Sequence, residues 1–169
     1  MEIISKFVIG SDKGVSDFLN VKINSFIHLH KDFIKEEEIK KYIEEHFDER
    51  KIINELNDLS NQLIITYKEN LPVAYCMIKS GSRHSAFLQE KRTTEIDFAI
   101  LPEHNLDEIK TSLFTKLLSA AKFTDIIWIN VLQNNHTVDD FLRTKGFEFV
   151  ENSFSEKFKL DRNLLSLKV

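Results

Sequence analysis

Residues 128–147 read WINVLQNNHTVDDFLRTKGF, and this stretch decides the fold. It continues the run DIIWINV from residue 125, which is apolar on both faces and therefore typical of a central strand covered on both sides. The polar residues that follow predict a loop, and the residues from about Thr137 to Lys145 predict a short amphipathic helix. Gly146 stands where a helix end favours a left-handed residue, and Phe147 returns the chain to the core. The stretch predicts a strand, a helix and a return into the same sheet.

The segment before this stretch predicts a crossover between two central strands. TEIDFAIL, residues 94–101, has the pattern of a strand and is ended by Pro102. A helix is expected to begin near Asn105, because the apolar residues that follow share one helical face. These residues are Leu106, Ile109, Leu113, Leu117 and Ala121. A helix between two such strands predicts that the strands lie parallel.

The rest of the chain predicts further strands and helices. A strand at Ile3–Ile9 precedes an amphipathic helix for which Asp12 is the expected cap, and two more helical stripes follow at residues 39–47 and 53–59. QLIITYK and VAYCMIK read as a hairpin, and FEFVE and SFSEKFKL read as two final strands. The prediction is an α/β (α+β) fold with a mixed, mostly antiparallel central sheet of about six to seven strands flanked by helices. One domain is expected to span residues 1–169.

Composition and charge narrow the classes of function. The net charge of -4, with acids and bases interspersed, predicts no nucleic-acid partner. The absence of a long apolar run predicts no membrane partner, and the N-terminal residues carry no basic and apolar leader pattern, so a cytoplasmic location is expected. The histidines are scattered and Cys76 is the lone cysteine, so no metal site is predicted.

The C-terminal motif resembles that of the GNAT superfamily, the N-acetyltransferases that use acetyl-coenzyme A. In that motif a valine is followed by an asparagine, a helix and a terminal Gly-Phe, and here the matching residues are Val131, Asn135, Gly146 and Phe147. The order of strands and helices is also similar to that of the superfamily over nearly the whole chain. The resemblance implies a GNAT-like sheet and acetyl transfer to the amine of a small molecule or peptide. It also makes a homodimer an expectation.

The resemblance implies where the cofactor and the chemistry would lie. Backbone N–H groups near Ile100 and Leu101 would hold the thioester carbonyl, and Asn135 would meet the cofactor arm. Glu95 or Asp97 would relay the proton from the attacking amine, directly or through water. The positions that would meet the pyrophosphate run from Asn105 through Ile109 to Lys110, at the start of a helix, where free N–H groups bind anions.

This chain departs from the superfamily pattern at two places. Every glycine of the pyrophosphate turn is replaced, and Asn105 with Glu108 forms a variant of the capping box, which predicts a helix that caps itself. Asp107 adds a carboxylate that would repel a phosphate. In addition, Leu142 stands where many members have a tyrosine that protonates the departing thiolate.

Two hypotheses from different classes follow. The first is an N-acetyltransferase in which a primary amine attacks acetyl-CoA directly. The second is an inactive binding or regulatory module on the same fold that has lost coenzyme A binding together with its glycine turn and tyrosine.

Overall fold

The structure, a computed structural model, describes residues 1–169, with seven strands and five helices. The strands are β1 (Ile3–Val8), β2 (Asn61–Lys68), β3 (Leu71–Ser80), β4 (Thr93–Ile100), β5 (Ile126–Leu132), β6 (Glu148–Phe154) and β7 (Asp161–Lys168). The helices are α1 (Asp12–His30), α2 (Glu36–His46), α3 (Glu49–Asn57), α4 (Asp107–Ala120) and α5 (His136–Thr144). Short 3-10 turns lie at Ser85–Phe87 and Pro102–His104.

All seven strands form one sheet in the order β1-β2-β3-β4-β5-β7-β6. Only β4 and β5 are parallel, and every other neighbouring pair is antiparallel. The parallel pair needs a crossover, which α4 supplies. The predicted mixed, mostly antiparallel sheet flanked by helices is confirmed.

The two parallel strands separate soon after they meet. Their pairing runs only from Thr93 opposite Ile126 to Glu95 opposite Trp128. Beyond that point β4 continues to Ile100 beside β3 in unbroken register, so β4 contains no bulge. A V-shaped cleft therefore opens between β4 and β5 in the middle of the sheet.

Helices cover both faces of the sheet, and each face has its own core. Side chains alternate between the two faces of a strand, so Ile96 and Phe98 of β4 lie on one face of the sheet and Asp97 lies on the other. Ile96, Phe98 and Ile100 pack in the core beneath α4 and α5, whereas Ala99 packs in the core beneath α1 and α3. Asp97 is thus on the α1 side of the sheet.

Two local predictions are wrong. Ser11, and not Asp12, is the N-cap of α1, because the Ser11 hydroxyl accepts the Gly14 N–H at 3.2 Å. SFSEKFKL is not the last strand, because residues 155–160 form a turn in which the Ser155 hydroxyl accepts the Leu160 N–H at 2.9 Å. The last strand is β7, which lies between β5 and β6 and is buried on both faces at Leu164 and Leu165.

Candidate active site

A cavity of about 150 Å³ lies in the cleft between β4 and β5, on the side of the sheet that α1 covers. Its walls come from β3, β4, β5, α1 and the start of α5. The polar side chains that line it are Lys22, Ser25, His30, Tyr75, Asp97, Asn130 and Asn135. Most of the remaining walls are apolar, which is the usual character of a small-molecule site.

Asp97 is the anionic centre of this cavity. The Lys22 ammonium lies 3.0 Å from its carboxylate, and the Tyr75 hydroxyl donates to the same oxygen at 2.7 Å. Burial alone would raise the pKa of Asp97, but the Lys22 charge and these two hydrogen bonds hold the pKa below its ordinary value. The Asp97 side chain keeps 48% of its surface exposed, so solvent screens part of this attraction. Asp97 is therefore an anion at neutral pH and a weak base.

Lys22 is held in place by aromatic rings as well as by Asp97. Its ammonium lies 5.2 Å from the ring centre of Phe47 and 5.6 Å from those of Phe18 and Tyr75. Cations are attracted to ring faces at such distances. The cavity thus already holds one ammonium group, supplied by the chain itself.

Glu95 lies on the same face of β4 as Asp97 but nearer to the closed end of the cleft, opposite Trp128. Its carboxylate accepts the Ser82 hydroxyl at 2.8 Å, and Glu95 is not among the residues that line the cavity. Of the two carboxylates predicted to relay a proton, the structure brings only Asp97 into the cavity.

His30, the last residue of α1, is a cavity residue that sequence reasoning missed. Its Nδ1 lies 2.7 Å from the Phe26 carbonyl, and its ring stacks on that of Phe26 with centres 3.8 Å apart. Burial lowers the pKa of His30, and the hydrogen bond to Phe26 offsets only part of this effect.

Some backbone N–H groups of β4 are directed towards the cleft. Of the two expected there, at Ile100 and Leu101, the Leu101 N–H is not. The Leu101 N–H donates to the Val73 carbonyl at 2.9 Å and is therefore directed towards β3. In an antiparallel ladder alternate residues direct their N–H and C=O groups to opposite sides, so those of Ile100 and Phe98 are directed towards β5. Since β5 has moved away there, these groups remain free to pair with a ligand.

The N-terminus of α4 does not have the predicted self-capped form. The helix begins at Asp107 after Leu106, and no side chain caps it. The Asn105 amide instead donates to the Thr137 hydroxyl at 3.4 Å, so the predicted capping box of Asn105 and Glu108 is wrong. The first intrahelical bond runs from the Lys110 N–H to the Leu106 carbonyl, which leaves the preceding N–H groups of the helix free.

A larger open cavity, of about 540 Å³, lies beside this helix terminus, between α4 and α5. Lys110, Lys145, Asp107 and Asp140 are its charged residues. Lys110 is not an exposed helix position, because its side chain is only 11% exposed. Its ammonium lies 3.0 Å from the Asp107 carboxylate, so the two charges offset each other.

The remaining predicted residues have structural contacts. The Asn135 side chain caps α5 by accepting the Val138 N–H at 3.4 Å, and Asn135 also lines the smaller cavity. Ile109 is fully buried in the core beneath α4, so its side chain is not available to a ligand. Leu142 is also fully buried, and a leucine offers no proton to a leaving group.

Neither a metal centre nor a membrane-spanning segment is found. No group of three or more His, Cys, Asp or Glu side chains is placed to hold a metal ion. None of the helices has the length and apolar character needed to cross a bilayer.

Comparison with solved structures identifies the fold. The PaiA N-acetyltransferase from Thermoplasma acidophilum, in complex with coenzyme A, superposes with a TM-score of 0.76 at 15% identity over 100% of both chains. The GNAT-family acetyltransferase from Streptococcus pneumoniae gives a TM-score of 0.65 at 12% identity over 99% of this chain and 100% of that one. YncA from Salmonella typhimurium, with its cofactor acetyl-CoA, gives 0.65 at 11% identity over 99% and 94%. The chain therefore has the GNAT fold.

Sequence comparison alone does not reach this result. No protein-family model matches the chain, and no curated protein matches it.

Proposed function

We propose that the protein is an N-acetyltransferase that moves the acetyl group of acetyl-CoA to a primary amine of a small molecule or peptide. The observation that carries this proposal is the separation of β4 from β5 directly beside an uncapped N-terminus of α4. The first feature supplies free backbone groups for an extended ligand, and the second supplies free donors for its phosphates. Acetyl-CoA, when bound, supplies an acetyl group activated as a thioester.

The residues beside the cleft fit such a cofactor. The N–H groups of Phe98 and Ile100 would pair with the pantetheine arm and the thioester carbonyl. The free N–H groups of α4, with Lys110 and Lys145 across the larger cavity, would hold the phosphates. Asn135, which lines the smaller cavity, would meet the cofactor arm.

On the other side of the sheet, Asp97 would hold the acceptor amine. Its carboxylate is ionised at neutral pH and would attract an ammonium group in the cavity. Lys22 occupies this carboxylate in the absence of substrate, so the incoming ammonium must share or replace that contact. The small cavity volume favours a single amine carried on a narrow chain.

The hypothesis of an inactive module loses one of its physical supports. One of its grounds was a helix that satisfies its own N-terminal donors, and α4 does not do so. Asp107 does lie at the helix start, but its charge is offset by Lys110. The missing tyrosine slows protonation of the thiolate without preventing acetyl transfer, because a thiolate is a tolerable leaving group.

The direct test is a panel of primary amines incubated with acetyl-CoA, with release of free thiol followed over time and the acetylated product identified by mass spectrometry. At least one amine should be acetylated well above the rate of acetyl-CoA hydrolysis. Asp97→Asn should raise the KM for that amine, because the anionic contact is lost, whereas Asp32→Asn, an exposed acid outside the cavity, should not. No acetylated amine in a broad panel would overturn the proposal.

A further inference from the structure

We propose that His30 is the group that takes the proton from the acceptor ammonium, so that the neutral amine can attack the acetyl carbonyl. The proposal rests on the acetyl transfer proposed above and names a residue that the predicted pair of Glu95 and Asp97 did not include.

The geometry of His30 determines which ring nitrogen can accept a proton. A carbonyl oxygen can only accept a hydrogen bond, so the 2.7 Å contact with the Phe26 carbonyl requires a hydrogen on Nδ1. In the neutral ring the lone pair then lies on Nε2. The ring stacks on Phe26, with centres 3.8 Å apart, and contacts Phe158 at 5.6 Å. His30 is thus an imidazole in a fixed position, with the residue only 5% exposed. Since Nδ1 is engaged with the Phe26 carbonyl, Nε2 is the ring nitrogen that can accept a proton.

The other titratable side chains of the cavity are unsuited to this task. Lys22 is a cation engaged with Asp97. Burial raises the pKa of Tyr75 well above its ordinary value, and the neighbouring Asp97 carboxylate raises it further. The pKa of Asp97 is below its ordinary value, so the carboxylate holds a proton poorly. His30, whose pKa is lowered by burial, is left as the neutral base at physiological pH.

The titratable side chains around the imidazole come from the cavity and from one turn. Lys22, Tyr75 and Asp97 line the same cavity. Lys157 and Lys159 flank the aromatic residue of the turn between β6 and β7 that contacts the ring. Since Asp97, the one carboxylate that lines the cavity, is already paired with Lys22, no unpaired cavity carboxylate stabilises the imidazolium before substrate binds. This arrangement favours the neutral ring of His30 and rapid release of a proton from the imidazolium.

The proposed step is balanced as follows. One N–H proton of the ammonium passes to Nε2 of His30, and the freed nitrogen lone pair forms the C–N bond to the acetyl carbon. The C–S bond breaks and its electron pair leaves with sulfur. The nitrogen then loses its second N–H proton, which protonates the thiolate. The imidazolium releases the first proton to solvent. The products are an amide, free coenzyme A and one proton.

The first test uses the wild-type protein and no amine. Long-range ¹H–¹⁵N correlation spectra report the tautomer and titration of each of the six histidines. We expect His30 to be neutral at pH 7, with hydrogen on Nδ1, and to titrate below the ordinary value for histidine. A hydrogen on Nε2, or an imidazolium at pH 7, would overturn the proposal.

The second test is kinetic and has a matched control on α2. Both His30 and His46 end a helix and place Nδ1 against the carbonyl four residues earlier, but His46 is exposed and lines no described cavity. His30→Gln, which keeps an amide donor for Phe26, should lower kcat/KM about 100-fold or more and remove the acid limb of the pH profile. His46→Gln should leave both unchanged. Full activity in His30→Gln, or an unchanged acid limb, would overturn the proposal.

Calorimetric titration with coenzyme A separates the possible failures. His30→Gln should bind coenzyme A as the wild type does, because His30 lies on the amine side of the sheet. If no amine is acetylated by the wild type, the proposed function fails and this role fails with it. If amines are acetylated equally by wild type and His30→Gln, only the role of His30 fails.

Discussion

Asp97 and His30 share one cavity, yet their surroundings give them different tasks. The Lys22 ammonium and two hydrogen bonds keep Asp97 ionised, whereas burial keeps His30 neutral. One group therefore supplies a negative charge and the other supplies a lone pair at the same pH. Such separation of roles by environment is how one site combines binding of a cation with removal of its proton.

The lowered pKa of His30 also predicts how stability depends on pH. In the unfolded chain the His30 imidazole is protonated at a pH of about 6.5, whereas in the folded protein it is protonated only at a lower pH. The contribution of His30 to the free energy of unfolding should therefore be complete above a pH of about 6.5. It should decrease as the pH falls below that value, by at most about 1.4 kcal/mol per pH unit.

Urea denaturation at a series of pH values between neutral and mildly acidic tests this dependence. His30→Gln should show a shallower decrease than the wild type, because the titrating group is gone, and His46→Gln should follow the wild type. An equal decrease in the wild type and His30→Gln would contradict the assigned burial effect.

At the scale of the element, the proposed function assigns the phosphates to the start of α4. Asp107→Asn removes a carboxylate from the first turn and releases Lys110 from its ion pair. A charge pair at about 4 Å is worth about 1 to 4 kcal/mol depending on the effective dielectric, so the variant should bind coenzyme A more tightly. Calorimetric titration measures the change.

The matched control for this variant is Asp12→Asn, which removes the first-turn acid of α1. It should leave the affinity for coenzyme A unchanged. Unchanged or weaker binding by Asp107→Asn would show that α4 does not meet the phosphates.

The helix α5 depends on its asparagine cap. Asn135→Ala removes the acceptor for the Val138 N–H and should lower the free energy of unfolding by about 0.5 to 2 kcal/mol. Asn135→Ser, which keeps an oxygen acceptor, should recover most of this loss. Denaturation curves compare the three proteins, and equal stability of Asn135→Ala and wild type would mean that the cap contributes nothing.

The start of α4 shows why a helix cap was predicted wrongly. Asn105 is a favourable cap by residue type, but Pro102 begins a 3-10 turn that places Asn105 outside the helix. Its amide then finds Thr137 of α5, which is a tertiary contact. A capping pattern read along one segment cannot include a competing partner that lies far away in sequence.

At the scale of the whole molecule, local periodicity was sufficient for most of the sheet, with β7 the exception, but not for the site. The apolar run through Trp128 predicted a central strand, and the helix before it predicted the parallel crossover. Asp97 could be proposed because β4 was recognised. Lys22, His30 and Tyr75 could not, because α1 and β3 reach the cleft only through the packing of the folded chain.

The expected homodimer stays a prediction. The outer strands β1 and β6 have free edges, and exposed apolar side chains such as Phe7 and Phe154 lie on them. Such edges favour pairing with another chain. Sedimentation equilibrium should give twice the mass of one chain, and a monomer at micromolar concentration would contradict the expectation.

The most direct test of the central claim is calorimetric titration of the wild-type protein with acetyl-CoA at low salt, where charge contacts are least screened. An uncapped α4 beside an open cleft predicts saturable binding with one cofactor per chain and a dissociation constant in the micromolar range, or about 8 kcal/mol. No heat and no thermal stabilisation at millimolar acetyl-CoA would contradict it, because the cleft would then not be a cofactor site.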